Sequence, residues 1–142
     1  MAESGAALIF PDIKDIIQLN QRLIERYGGE FNGLDNLINP NSLKWVLDAI
    51  QYPFFGEDPY PTIAHKAAII AWVINDGHVF YDGNKRTSMF AAALFLYGNG
   101  YQLLATNQEI VSIALAVAKK HETRITYEHL TQWFKDHIRS VS

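Results

Sequence analysis

Two apolar runs constrain this chain more than anything else in it. Ala67-Ala-Ile-Ile-Ala-Trp-Val-Ile74 and Met89-Phe-Ala-Ala-Ala-Leu-Phe-Leu96 are separated by one short polar stretch. Neither run has a polar face, so neither can be an ordinary surface helix; the rest of the chain must cover each on most sides. Between them lies His78-Val-Phe-Tyr-Asp-Gly-Asn-Lys-Arg-Thr87. Buried helices that meet at a polar turn hold functional groups more firmly than a long loop does.

The remaining segments supply the cover. Residues 12–27 place Ile13, Ile16, Ile17, Leu23 and Ile24 at helical spacing, and Gly28-Gly29 ends the pattern. Residues 30–40 read as loop. Asn41 or Ser42 is placed to cap a short helix carrying Leu43, Val46, Leu47 and Ile50. Residues 51–62 contain three prolines and read as an extended arm or hairpin over the site. The first apolar run predicts a helix from Thr62 to about Asp76, stopped by Gly77, and the second a helix from about Asn84 to Tyr97. Thr106-Asn-Gln-Glu109 is a capping-box pattern opening a helix with Ile110, Ile113, Ala114 and Val117. A last helix is expected over about 127–139, burying Leu130, Trp133, Phe134 and one of His137 and Ile138. Six or seven helices make an all-α chain, and 142 residues fit one domain.

Composition narrows the setting. No run reaches the roughly 20 apolar residues of a membrane span. The N-terminus carries Glu3 where an export signal would carry bases. With no cysteine, disulfides and thiolate metal sites are excluded and a cytoplasmic setting is the expectation. Net charge is −3, and Lys and Arg form no block, which argues against nucleic acid as the main partner.

The polar stretch carries the chemistry. His78 follows a helix-ending glycine, and its imidazole suits removal of a proton from an alcohol; a solvated loop histidine is the plainer reading. Asp82 is open between an oxygen ligand for Mg²⁺ and a turn aspartate. Asn84 is open between a helix cap and a ligand contact. Gly83 leaves room for a phosphate at a helix start whose first amides lack internal partners. Lys85 and Arg86 add positive charge at that same helix end. Cations there oppose the helix dipole by a few tenths of a kcal/mol, so an anionic ligand is the natural compensation. Phe80 reads as an inward anchor. Together these residues suggest phosphoryl or nucleotidyl transfer to a hydroxyl. No Gly-x-x-x-x-Gly-Lys-Ser/Thr loop is present. His129 and His137 lie about 12 Å apart along one helix, too far to share a metal ion, and His65 and His121 have no suitable sequence neighbours; all four read as structural or surface residues.

The motif His78-x-Phe80-x-Asp82-Gly83-Asn84-Lys85-Arg86-Thr87 resembles the signature of the Fic/Doc superfamily, in particular its Doc (death-on-curing) branch. Fic proteins in general carry a glycine at the position of Lys85 and a second arginine at the position of Met89; both departures are those of Doc-type members. Arg26-Tyr-Gly-Gly29, residues 55–62, Lys66-Ala-Ala68 and Gly98-Asn-Gly-Tyr101 resemble other recurring stretches of the family, so the likeness covers roughly 12–138. It implies a Fic fold with the motif loop between two central helices. It further implies a toxin that transfers the γ-phosphate of ATP to a threonine of a translation factor, elongation factor Tu, and arrests translation. The alternatives are AMP transfer to a protein hydroxyl and a non-catalytic binding module.

By resemblance, His78 is the base, Asp82 the Mg²⁺ ligand, and Gly83, Asn84, Lys85 and Arg86 the groups that bind the ATP phosphates. Residues 54–62 correspond to a flap that positions the target. No Ser/Thr-x-x-x-Glu-Gly/Asn inhibitory pattern occurs in the sequence, so inhibition is expected from a trans-acting antitoxin of Phd type, docking an amphipathic helix in a surface groove.

Overall fold

The computed structural model describes residues 7–54 and 56–141. Phe55, part of the expected flap, lies outside the described residues. The chain forms helices α1 (Ile13–Tyr27), α2 (Pro40–Gln51), α3 (Ile63–Asp76) and α4 (Asn84–Gly98). A short strand β1 (Tyr101–Leu103) precedes α5 (Asn107–Ala118), α6 (Lys120–Thr123), α7 (Tyr127–His137) and strand β2 (Ile138–Ser140). The architecture is the expected all-α one. Among the described residues no helix is long and apolar enough to cross a membrane.

The two apolar runs become the centre. α3 packs most extensively against α4 and next against α7, while α4 also receives α1 and α5. Ala67, Ala68, Ile70, Ile74, Ala91, Ala92 and Leu96 are buried. Alanines at these positions let the two helix axes approach closely. Phe80 and Val79, directly after His78, are wholly buried and anchor the motif loop into the same core, as read for Phe80.

Four helix starts are capped by side chains. Asp12 with Asp15, Thr106 with Glu109, and Thr126 with His129 form reciprocal boxes at α1, α5 and α7; the Thr62 hydroxyl accepts from the His65 amide at α3. Two expectations need correction. α2 starts at Pro40, not at Asn41 or Ser42, because proline is preorganised for the first helical position. The last helix ends at His137 rather than Arg139. Beyond it, Ile138, Arg139 and Ser140 pair antiparallel with Leu103, Gln102 and Tyr101. That ladder satisfies backbone groups which continuing the helix would have left at an exposed end.

A third correction concerns residues 54–62. Phe54 and Glu57 close a hairpin turn through reciprocal backbone bonds (2.9 and 2.8 Å). Its root is tied down by the buried Lys66, whose ammonium donates to the Asp58 carboxylate (2.7 Å) and to the Tyr60 carbonyl. Yet the hairpin does not cover the motif loop. α2 begins beside that loop, since the Asn39 amide donates to the carbonyls of Gly77 and His78, and then runs away for 12 residues, about 18 Å. The hairpin therefore sits at the far end of the α2–α3 pair. The segment that does lie against the motif loop is 30–39.

Candidate active site

The motif loop, residues 77–83, is built on the segment before α2. Leu37 and Phe80 form an antiparallel bridge; the Ile38 amide donates to the Val79 carbonyl (2.8 Å) and the Tyr81 amide to the Asn36 carbonyl (2.9 Å). His78 is exposed and has a left-handed backbone, φ 44°. That conformation costs a non-glycine residue on the order of 1–2 kcal/mol, and it turns the chain sharply between the end of α3 and the buried Val79. Asn39 holds it there through its two carbonyl contacts. This duty also explains why Asn39, although at the cap position of α2, makes no side-chain cap bond.

Under the loop lies a buried asparagine hub that the sequence reading missed. Asn20 Nδ2 donates to the Asp82 carbonyl and to the Thr87 hydroxyl, both at 3.0 Å, and Asn20 Oδ1 accepts from Asn36 Nδ2 at 2.9 Å. Asn36 reaches the same Asp82 carbonyl at 3.3 Å. Asn20, Asn36 and Thr87 are fully buried. Fully bonded, such a network fixes one geometry, because every alternative strands a polar group away from water. A signal was present in the sequence. Asn20 stands on the apolar face of α1, in step with Ile16, Ile17, Leu23 and Ile24, where a polar side chain requires a partner.

Asp82 is oriented from both sides. Its Oδ1 accepts from the Gly83 amide (2.8 Å) and its Oδ2 from the Glu30 amide (2.9 Å). Gly29 makes the second contact possible. A Cβ there would stand 2.8 Å from Asp82 Oδ2, and the backbone has φ 125°. The carboxylate remains exposed, and each oxygen keeps a lone pair. Among the described residues no group of three His, Cys, Asp or Glu could hold a metal ion alone. Asp82 is therefore suited to a cation whose other ligands come from phosphate and water, the usual habit of Mg²⁺.

α4 begins at the next residues. Gly83 is its N-cap in a left-handed conformation, φ 81°, with no side-chain cap bond and no acid in the first turn. A Cβ on Gly83 would meet Asn20 Nδ2 at 2.9 Å and Ile24 Cγ1 at 3.3 Å, so the glycine serves close packing on α1 as well as the turn. Asn84 does not cap the helix. Its Oδ1 accepts from the Phe80 amide (2.9 Å) and its Nδ2 donates to the Phe80 carbonyl (2.7 Å), stapling the loop shut. One N–H and one lone pair of that amide remain for a ligand. Lys85 and Arg86 are exposed on the first turn. The Arg86 guanidinium lies 4.2 Å from the centre of the Tyr27 ring, which holds it at the helix end. A cleft of about 380 Å³ opens here, with Tyr27, Lys85 and Arg86 at one end and Phe90, Val111 and Leu115 among its apolar walls.

The structure thus brings Asp82, Gly83, Asn84, Lys85 and Arg86 to one helix start, with His78 at the other end of the same short loop. Three of the other four histidines serve local roles: His65 and His129 in helix caps, His137 against Glu109 at 3.2 Å.

Comparison with known proteins agrees with this architecture. The Fic/DOC family model matches residues 10–96, more than half of the chain, including the motif loop and the start of α4. The chain belongs to the Fic/Doc family. Its relatives among curated proteins lie in the Doc branch. One is "Toxin Doc" of Mycolicibacterium smegmatis, 44% identical over 64 residues, covering 42% of this chain and 49% of that protein. Another is "Protein kinase doc" of Escherichia phage P1, 28% identical over 105 residues, covering 74% of this chain and 79% of that protein. The alignment to the mycobacterial toxin thus spans about half of its length.

Proposed function

We propose that this Fic/Doc chain is a Doc-type toxin: a phosphotransferase that moves the γ-phosphate of ATP, with Mg²⁺, to a threonine hydroxyl of a translation factor such as elongation factor Tu. The observation that carries the reading is the start of α4. It is a helix N-terminus with no side-chain cap and no acid, flanked by Asp82 and bearing two exposed cations. Such a terminus is destabilised by its own charges and is relieved by a polyphosphate.

In this reading the amides of the first turn, with Lys85 and Arg86, bind the phosphate oxygens and stabilise the charge that spreads over them in the transition state. Asp82, pointed by the Gly83 and Glu30 amides, would hold Mg²⁺. When bound, such a cation would supply positive charge against the phosphates. His78 takes the proton of the acceptor hydroxyl as the new P–O bond forms and the bond between the γ-phosphorus and the bridging oxygen breaks; ADP departs. The relative named as a protein kinase supports phosphoryl rather than adenylyl transfer.

Regulation follows the relative named as a toxin. We infer a trans-acting antitoxin of Phd type whose amphipathic helix lies in the α4–α5 cleft. Its apolar face would meet Phe90, Val111 and Leu115, and an acidic end would cover Lys85 and Arg86.

Intact mass spectrometry of purified elongation factor Tu, after incubation with the chain and Mg·ATP, tests the reaction. A phosphate increment is expected, falling by roughly 10²- to 10⁴-fold in rate with His78→Ala, the usual contribution of a positioned base. An AMP increment, or no modification, overturns the reading.

A further inference from the structure

The motif loop divides the surface into two sides. On one side is the cationic start of α4 and its cleft toward α5. On the other side a second groove, also of about 380 Å³, runs between the first turns of α2 and the last turns of α3. Asn41, Ser42 and Trp45 form one wall; Trp72, Val73 and Asp76 form the other. Gly77, the residue immediately before His78, lies at its end. The two clefts share no lining residue.

Transfer geometry assigns these sides different tasks. In phosphoryl transfer the incoming hydroxyl and the departing oxygen lie roughly in line, on opposite faces of the phosphorus. In the proposed reading the phosphates seat at Lys85 and Arg86 and the departing group follows the cleft toward α5; the hydroxyl then arrives from the Gly77–His78 end of the loop, where the α2–α3 groove ends. We propose that the Trp45–Trp72 groove is the docking site for the segment of the acceptor protein that flanks the modified hydroxyl. This rests on the phosphotransferase reading above.

The chemistry of the groove specifies the occupant further. Trp45 is 48% exposed although it projects from a helix whose other face is core. The one carboxylate in the walls, Asp76, is already neutralised by Lys120 at 2.8 Å, and the same ammonium stands 5.9 Å from the Trp72 ring. A cation from the partner therefore finds its place taken. Two indole faces with a neutralised rim favour an apolar or proline side chain, one or two residues from the hydroxyl. On the segment paired with the loop, Ile38 is exposed next to Asn39, whose side chain holds the Gly77 and His78 carbonyls, and an exposed apolar residue there is relieved when a partner covers it.

The test uses the full chain, Mg·ATP and purified elongation factor Tu as the acceptor. Trp45→Ala is expected to raise the KM for the acceptor roughly tenfold or more, the loss typical of an aromatic anchor. Trp45→Phe should recover most of it. Affinity for Mg·ATP by calorimetry should be the same in all three proteins. Leu104→Asp, at an exposed position that lines neither cleft, should leave the acceptor KM unchanged. An unchanged KM in Trp45→Ala, or an equal rise in Leu104→Asp, overturns the proposal. Photocrosslinking separates it from the reaction itself, with p-benzoylphenylalanine replacing Trp45 in one protein and Val111 in another. A crosslink to the factor from position 45 alone, without any phosphate transfer, keeps the docking site and sinks the phosphotransferase reading. Transfer with no crosslink from position 45 does the reverse, and absence of both sinks both.

Discussion

Two helix starts in this molecule face the same physical problem and solve it in opposite ways. At α5, Thr106 Oγ1 accepts from the Glu109 amide (3.1 Å) and the Glu109 carboxylate accepts from the Thr106 amide (2.9 Å). The free amides are satisfied and a negative charge sits at the positive end of the dipole. At α4 the cap is a glycine, the first turn has no acid, and two cations crowd the same end. The first start is complete within the chain. The second is left open to solvent, and in the proposed reading an anionic ligand completes it. A fold whose other long helices are capped by side chains or begin on proline does not leave this one bare through lack of suitable residues.

The comparison breaks most sharply at Arg86. Arg86→Ala should lower phosphate transfer roughly 10³-fold, about 4 kcal/mol of transition-state stabilisation, as expected when a charged donor to a developing phosphate charge is lost. Stability should hardly move. Loss of the contact with Tyr27 costs about 0.5–1 kcal/mol, and removal of a cation from the positive end of the dipole returns a similar amount. Parallel transfer assays and thermal denaturation check both halves. A fall of many degrees in Tm would mean that Arg86 completes the helix start structurally, and the contrast with α5 would vanish.

Beneath the bare start lies the asparagine hub, and the next largest effect is expected there. Asn20→Ala removes bonds to the Asp82 carbonyl, the Thr87 hydroxyl and Asn36, stranding polar atoms in a dry site. A loss of roughly 2–3 kcal/mol is expected in urea unfolding, since buried groups left without partners lose most of their solvation. Transfer should fall as well, because Asp82 is aimed through this network. Unfolding midpoints equal to those of the unsubstituted chain would show that the loop holds its shape without α1.

This hub also marks how far the sequence could be read. The central helices, the motif loop and the Thr106–Glu109 box were legible because each depends on residues close together in the chain. Helical spacing and a four-residue cap pattern are local signals. The hub joins Asn20, Asn36 and Asp82 across distances of 16 to 62 residues, and no local pattern reports such a meeting. The same limit hid the pairing of Tyr101–Leu103 with Ile138–Ser140. Residues 30–39 read as a featureless loop because their order comes from backbone bonds to the motif loop, not from a period of their own. Residues 54–62 were placed over the site both from the prolines of that stretch and by resemblance, but the antiparallel course of α2 and α3 puts them at the opposite end.

At α5 the expected effects are smaller and fall on stability alone. Thr106→Ala should cost about 1 kcal/mol, the usual value of a lost N-cap, with transfer unchanged. A change in transfer rate would mean that the two helix starts are coupled through the cleft they share.

The smallest effect lies in the pH dependence of the same cap. The Glu109 carboxyl is held below its ordinary value of 4.5, chiefly by the hydrogen bond from the Thr106 amide and further by His137 beside it. A depressed carboxyl pKa stabilises the fold fully above the unfolded value, and that contribution is lost as pH falls from about 4.5 through the folded value. The α4 start has no acid in its first turn and so no counterpart. Amide exchange of the α5 first turn should therefore accelerate below pH 4.5 relative to that of α4, after correction for the intrinsic pH dependence. Glu109→Gln, which keeps an acceptor but cannot titrate, should abolish the difference. Equal acid sensitivity at both starts would show that the cap acts through shape alone and that charge does not separate the two helices.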